Sequence, residues 1–114
     1  MRLFLREIIG GVSTTMIPEV NEKEQKIIES ILEKYRGEYS FYYYGSRAKG
    51  DFQRPSDLDI LIKGSEEMPI ETFGQLRREF DESWLPFIVD LHDFHRISDR
   101  FCQSIESSLV DVFD

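Results

Sequence analysis

The amino-acid sequence predicts an α/β (α+β) domain in which helical and strand patterns alternate along one chain. Three observations carry this reading. Apolar residues recur at three-to-four spacing in three separate stretches. Between them lie short runs rich in aromatic and β-branched residues, each bounded by glycine, proline or serine. The chain of 114 residues and 13.5 kDa has room for one ordinary core. With 40% apolar and 13% aromatic residues, the composition is globular rather than disordered.

The elements follow in order. From Asn21, residues Ile27, Ile28, Ile31, Leu32 and Tyr35 repeat with a helical period, with Glu and Lys between them and Gly37 as a stop. Tyr39 to Tyr44 holds five aromatic residues out of six and suits a strand ending in Gly45-Ser46. Arg47 to Arg54, with Gly50 inside it and Pro55 beyond, reads as a short helical turn and a loop. Asp57 to Ile62 is a second strand. Phe73, Leu76, Arg77 and Phe80 mark a second amphipathic helix lasting to Ser83. Phe87 to Leu91 reads as a third strand after Pro86. Ile97, Phe101, Ile105 and Leu109 mark a terminal helix capped near Ser98. Residues 1–18 are read as an N-terminal extension and residues 19–114 as a single domain. No repeat or low-complexity tract interrupts it.

Charge and cysteine content narrow the function classes. Fourteen basic against twenty-two acidic residues give a net charge of −8 and a pI near 4.8. That opposes a generic nucleic-acid binder, whose affinity rests on cations against phosphates. The single Cys102 excludes an internal disulfide and a multi-cysteine zinc site, which fits a reducing, cytoplasmic setting. Arg6 and Glu7 break the apolar N-terminal run before it reaches the length of a signal-peptide core or a membrane span.

The stretch that carries chemistry is Gly45-Ser46-Arg47-Ala48-Lys49-Gly50, with ten residues between Ser46 and the following Asp57-Leu58-Asp59. In a strand, Leu58, Ile60 and Ile62 enter a core while Asp57 and Asp59 share the opposite face. Two close carboxylates repel unless a proton or a cation intervenes, so the pair fits a divalent ion. Oxygen-only ligation favours magnesium or manganese over zinc. In the third strand, Asp90 alternates with Val89 and Leu91, so it could join the same site. A Gly-Ser turn between a strand and a short helix offers backbone N–H groups for phosphates, with Arg47 and Lys49 as added cations.

These residues resemble the minimal nucleotidyltransferases of the DNA polymerase beta-like superfamily, whose pattern is Gly-Ser, about ten residues, Asp-x-Asp, and a third Asp on a later strand. The resemblance spans roughly residues 22–107. It implies a small mixed β-sheet flanked by helices, and nucleotidyl transfer from a nucleoside triphosphate with magnesium, two ions being usual. It also assigns roles. Asp57 and Asp59 would ligate both metals, while Asp90 would ligate the catalytic metal and help deprotonate the acceptor. Gly45 and Ser46 would hold the terminal phosphates, with Arg47 and Lys49 beside them. Larger members add an acceptor-binding domain. Size and acidity make this chain similar to the stand-alone bacterial type encoded beside an all-helical HEPN protein. Such antitoxins transfer AMP from ATP to a tyrosine of the HEPN toxin, which implies a hetero-oligomer and no long nucleic-acid or membrane substrate.

Two rivals share the residues: transfer to a small hydroxyl compound, and a non-catalytic module that inhibits its partner by binding alone. Elsewhere plainer readings are preferred. Tyr42, Tyr43 and Tyr44 are taken as strand packing. His92 and His95 are read as solvated residues beyond the third strand rather than ligands. Trp84 and Phe87 are assigned to the core, and Cys102 is taken as inert.

Overall fold

The computed structural model describes residues 20–45 and 57–113. Among the described residues there are three α-helices and four strands: α1 (Glu22–Leu32), β1 (Tyr39–Tyr44), β2 (Leu58–Gly64), α2 (Ile70–Asp81), β3 (Val89–Asp93), α3 (Asp99–Ile105) and β4 (Val110–Asp111). Short 3-10 turns follow α1 at Glu33–Tyr35 and α3 at Glu106–Ser108. The N-terminal extension and the helical turn expected over 47–54 lie outside the described residues.

Helix α1 starts where its cap dictates. The Asn21 side chain accepts from the Glu24 N–H at 2.8 Å, and the Glu24 carboxylate accepts from the Asn21 N–H at 3.1 Å, which satisfies two orphan donors reciprocally. The face carrying Ile28 and Leu32 is buried. Gln25 on the same helix links three elements. It accepts from the Tyr43 hydroxyl at 2.5 Å and donates to the Val112 carbonyl at 2.9 Å, so a buried amide is fully used. Glu79 of α2 accepts from Tyr35 at 3.0 Å and pairs with Lys34 at 2.8 Å, tying the two helices side by side.

The sheet is mixed, in the order β3-β2-β1-β4. β1 runs antiparallel to β2 and β4, while β2 and β3 are parallel and joined through α2, the crossover that parallel strands require. Phe41, Tyr43, Leu58, Ile60, Ile62, Val89 and Leu91 face α1 and α2 in the main core. Tyr44 and Leu61 lie on the other face, against Ile105 and Phe101 of α3. Both faces of β2 are therefore covered over most of its length.

Several sequence expectations shift. The third strand begins two residues later than expected, at Val89, and includes His92, because its ladder to β2 runs from Leu58↔Val89 to Ile62↔Asp93. The terminal helix stops at Ile105. Val110 pairs instead with Tyr43 on the free edge of β1, a strand that the four-residue apolar spacing concealed. Trp84 is 92% exposed rather than in the core. From Trp84 to Ile88 the chain alternates, with Leu85 and Phe87 turned toward the core and Trp84, Pro86 and Ile88 outward. The tyrosine run packs as expected, with Tyr43 and Tyr44 buried. Among the described residues no helix is long and apolar enough to cross a membrane.

Candidate active site

Strand register builds the site. The parallel ladder places Asp59 opposite Asp90, and the antiparallel ladder places Tyr44 opposite Asp59. Paired residues in neighbouring strands point to the same face, so both carboxylates emerge on the α3 side, beyond the part of that face which α3 covers. The Leu58 N–H donates to the Ile88 carbonyl at 2.8 Å and pins the start of β2 to the residue before β3. One oxygen or nitrogen from each of Asp59, Asp90 and His92 lies within 4.8 Å of the others, a set able to hold a metal ion. His92 Nε2 is 3.2 Å from Asp90 Oδ2.

Electrostatics reflect the crowding. Burial first, then the charge of Asp90, pushes the Asp59 carboxyl from the usual 3.8 up to about 6; Asp57 adds to the rise and His92 opposes it. Tyr44 is raised too, chiefly by burial and then by Asp59 and Asp90, so its hydroxyl stays protonated. That hydroxyl is buried and has no hydrogen-bond partner among the described residues.

Gly45 ends β1 with φ of +86°, a region that L-residues rarely adopt. A Cβ there would stand 2.5 Å from Asp59 Oδ2. Glycine is thus required twice, by the backbone turn and by the carboxylate beside it.

The structure brings together Asp59, Asp90 and Gly45. Asp57 lies exposed just before β2, near enough to act on the charge of Asp59 but outside the three-residue group. Ser46, Arg47 and Lys49 lie outside the described residues. His92 belongs with the carboxylates rather than with solvent. Its ring is held edge-on by Tyr44 and tilted against Phe101, with centroids 5.9 Å away in both cases. The signal was present in the alternation of Asp90 and His92 along one strand face. His95, by contrast, is exposed as expected, its Nε2 lying 2.8 Å from the Gly64 carbonyl.

A mixed sheet between helix layers, with aspartates paired across parallel strands and a glycine turn packed against one of them, defines a nucleotidyltransferase with the polymerase beta-like fold. Residues 25–114 match the family described as "Polymerase beta, Nucleotidyltransferase", and the chain belongs to that family. It is 33% identical over 92 residues to a probable protein adenylyltransferase, MntA, of Haemophilus influenzae, covering 81% of each chain. Two solved structures share the fold. One is a toxin-antitoxin with AMP-PNP, at 23% identity and a TM-score of 0.65, covering 78% of this chain and 72% of that one. The other is a mutant of the toxin-antitoxin MntA-HpeT, at 21% identity and a TM-score of 0.64, with the same coverage.

Proposed function

We propose that this nucleotidyltransferase moves AMP from ATP to a tyrosine hydroxyl of a HEPN-domain partner, acting in the cytoplasm as the antitoxin of a toxin-antitoxin pair, with residues 19–114 as its single catalytic domain. The observation that carries the reading is the register pairing of Asp59 with Asp90 beside Gly45. The relative named a protein adenylyltransferase and the toxin-antitoxin neighbours support the choice of acceptor.

The donor set fits a divalent ion. Asp59 sits half-buried against a second carboxylate, and its raised pKa is the mark of a site short of positive charge. Asp57, Asp59 and Asp90 would hold magnesium, as one or two ions, or manganese. When bound, the metal supplies neutralisation of the triphosphate and polarisation of the acceptor oxygen.

The chain's own groups do the rest. N–H groups at Gly45 and Ser46 cradle the terminal phosphates, with Arg47 and Lys49 adding positive charge. Asp90 takes the proton of the acceptor hydroxyl, whose oxygen bonds to the α-phosphorus as the bond to the bridging oxygen breaks and pyrophosphate leaves. His92 holds Asp90 in place.

The test mixes the protein with magnesium, ATP labelled at its α-phosphate and the HEPN protein encoded beside it. Label on a partner tyrosine, lost with Asp57→Asn, is the expected result. Label on a small molecule alone, or tight association without label, would overturn the reading.

A further inference from the structure

A cavity of about 420 Å³ opens toward α2 at the strand ends that carry Asp59 and Asp90, lined by Asp57, by Phe80 and Asp81 of α2, and by the segment from Leu85 to Val89. At its margin stand large apolar side chains facing outward, Trp84 at 92% and Ile88 at 65% exposure. Exposed aromatic and aliphatic residues clustered beside a site mark a binding surface rather than chance. The third large exposed apolar residue among those described, Ile70, is at the opposite end of α2 from Asp81 and far from this cavity.

The strand order says what enters there. Gly45 ends β1 on one side of Asp59, while β3 and the segment leading into it lie on the other. Nucleotidyl transfer needs the attacking and leaving oxygens roughly in line. If the leaving pyrophosphate rests at the Gly45 turn, the acceptor must arrive from the β3 side. That side is where the cavity opens and where Asp57, itself beside Asp59, forms part of the wall. Among the described residues its charged lining consists of Asp57 and Asp81, with no lysine or arginine between them.

We infer that the Trp84–Ile88 segment is the docking surface for the acceptor protein. It receives a partner segment that carries an apolar side chain for the cavity and a cationic one for Asp57 and Asp81, next to the hydroxyl to be modified. The inference rests on the proposed transfer and names the surface that selects its protein substrate. It also accounts for Trp84 and Ile88, which add nothing to the core.

Two measurements with the intact protein and the HEPN partner decide it. Benzoylphenylalanine placed at position 88 cross-links the partner on illumination, while the same probe at position 70 does not. Trp84→Ala combined with Ile88→Ser raises the KM for the partner roughly tenfold or more, leaves kcat near the wild-type value, and keeps the magnesium-induced rise in melting temperature. Ile70→Ala changes none of these. Equal cross-linking from both positions, cross-links only to a second copy of this chain, or an unchanged KM overturns the docking surface. If the partner cross-links from position 88 yet receives no AMP, the transfer reading fails and the docking surface stands.

Discussion

Replacing Asp59 by Asn should stabilise the protein in the absence of metal while abolishing transfer. The carboxyl rises from 3.8 to about 6, with burial the main cause and Asp90 the next. A rise of that size corresponds to about 3 kcal/mol between the protonation states. Because Asp59 is only half-buried, solvent screening reduces the realisable part to about 1.5 kcal/mol. The folded state binds this proton more tightly than the unfolded chain, so the penalty is absent below the unfolded value near 3.8 and complete above about 6. Wild-type stability therefore falls as pH rises through that window, and the variant escapes the fall. Thermal unfolding in a chelating buffer should show Asp59→Asn melting about 5 °C or more above wild type near pH 8, converging near pH 4. Millimolar magnesium should raise the wild-type melting temperature and leave the variant unmoved. A variant that melts below wild type near pH 8, or a gap independent of pH, would refute the reasoning.

Asp93, three residues beyond Asp90, should behave in the opposite way. It is 3% exposed and accepts the Met68 N–H at 2.7 Å and the His95 N–H at 2.9 Å. Asp93→Ala should cost about 3 kcal/mol in urea denaturation, whereas Asp90→Ala should cost little or nothing. Gly45→Ala should lose about 1–2 kcal/mol from the left-handed backbone and lose transfer, because the new methyl displaces the Asp59 carboxylate; unchanged turnover would contradict this. Tyr43→Phe should destabilise by about 1–2 kcal/mol, since it strands the buried Gln25 carbonyl, with no effect on turnover per folded molecule.

Much of the arrangement was legible because the deciding signals are local. Alternation in Leu58-Asp59-Ile60 fixes which side chains share a face, and Gly45 follows the end of β1 where Tyr44 pairs with Asp59 near the start of β2. The onset of the helical pattern at Asn21 and the cap at Ser98 marked helix starts for the same reason. What was missed depends on partners far along the chain. Val110 is a strand because β1 has an open edge for it, which no spacing within residues 97–113 reveals. His92 joins the carboxylates because the β3 register extends two residues past the expected end. Asp93 is buried because the Met68 N–H comes to meet it. Trp84 is exposed, against the core expectation, because the two-residue alternation into β3 assigns inward positions to Leu85 and Phe87.

The central claim is that the Asp59–Asp90 pair drives AMP transfer to a protein hydroxyl. Its most direct test is the intact mass of the proposed HEPN partner after incubation with ATP, magnesium and wild-type, Asp59→Asn or Asp90→Asn protein. The account predicts that the partner gains the mass of AMP with wild type and with neither variant, both of which remain folded. A partner modified equally by all three proteins, or by none of them, would contradict it.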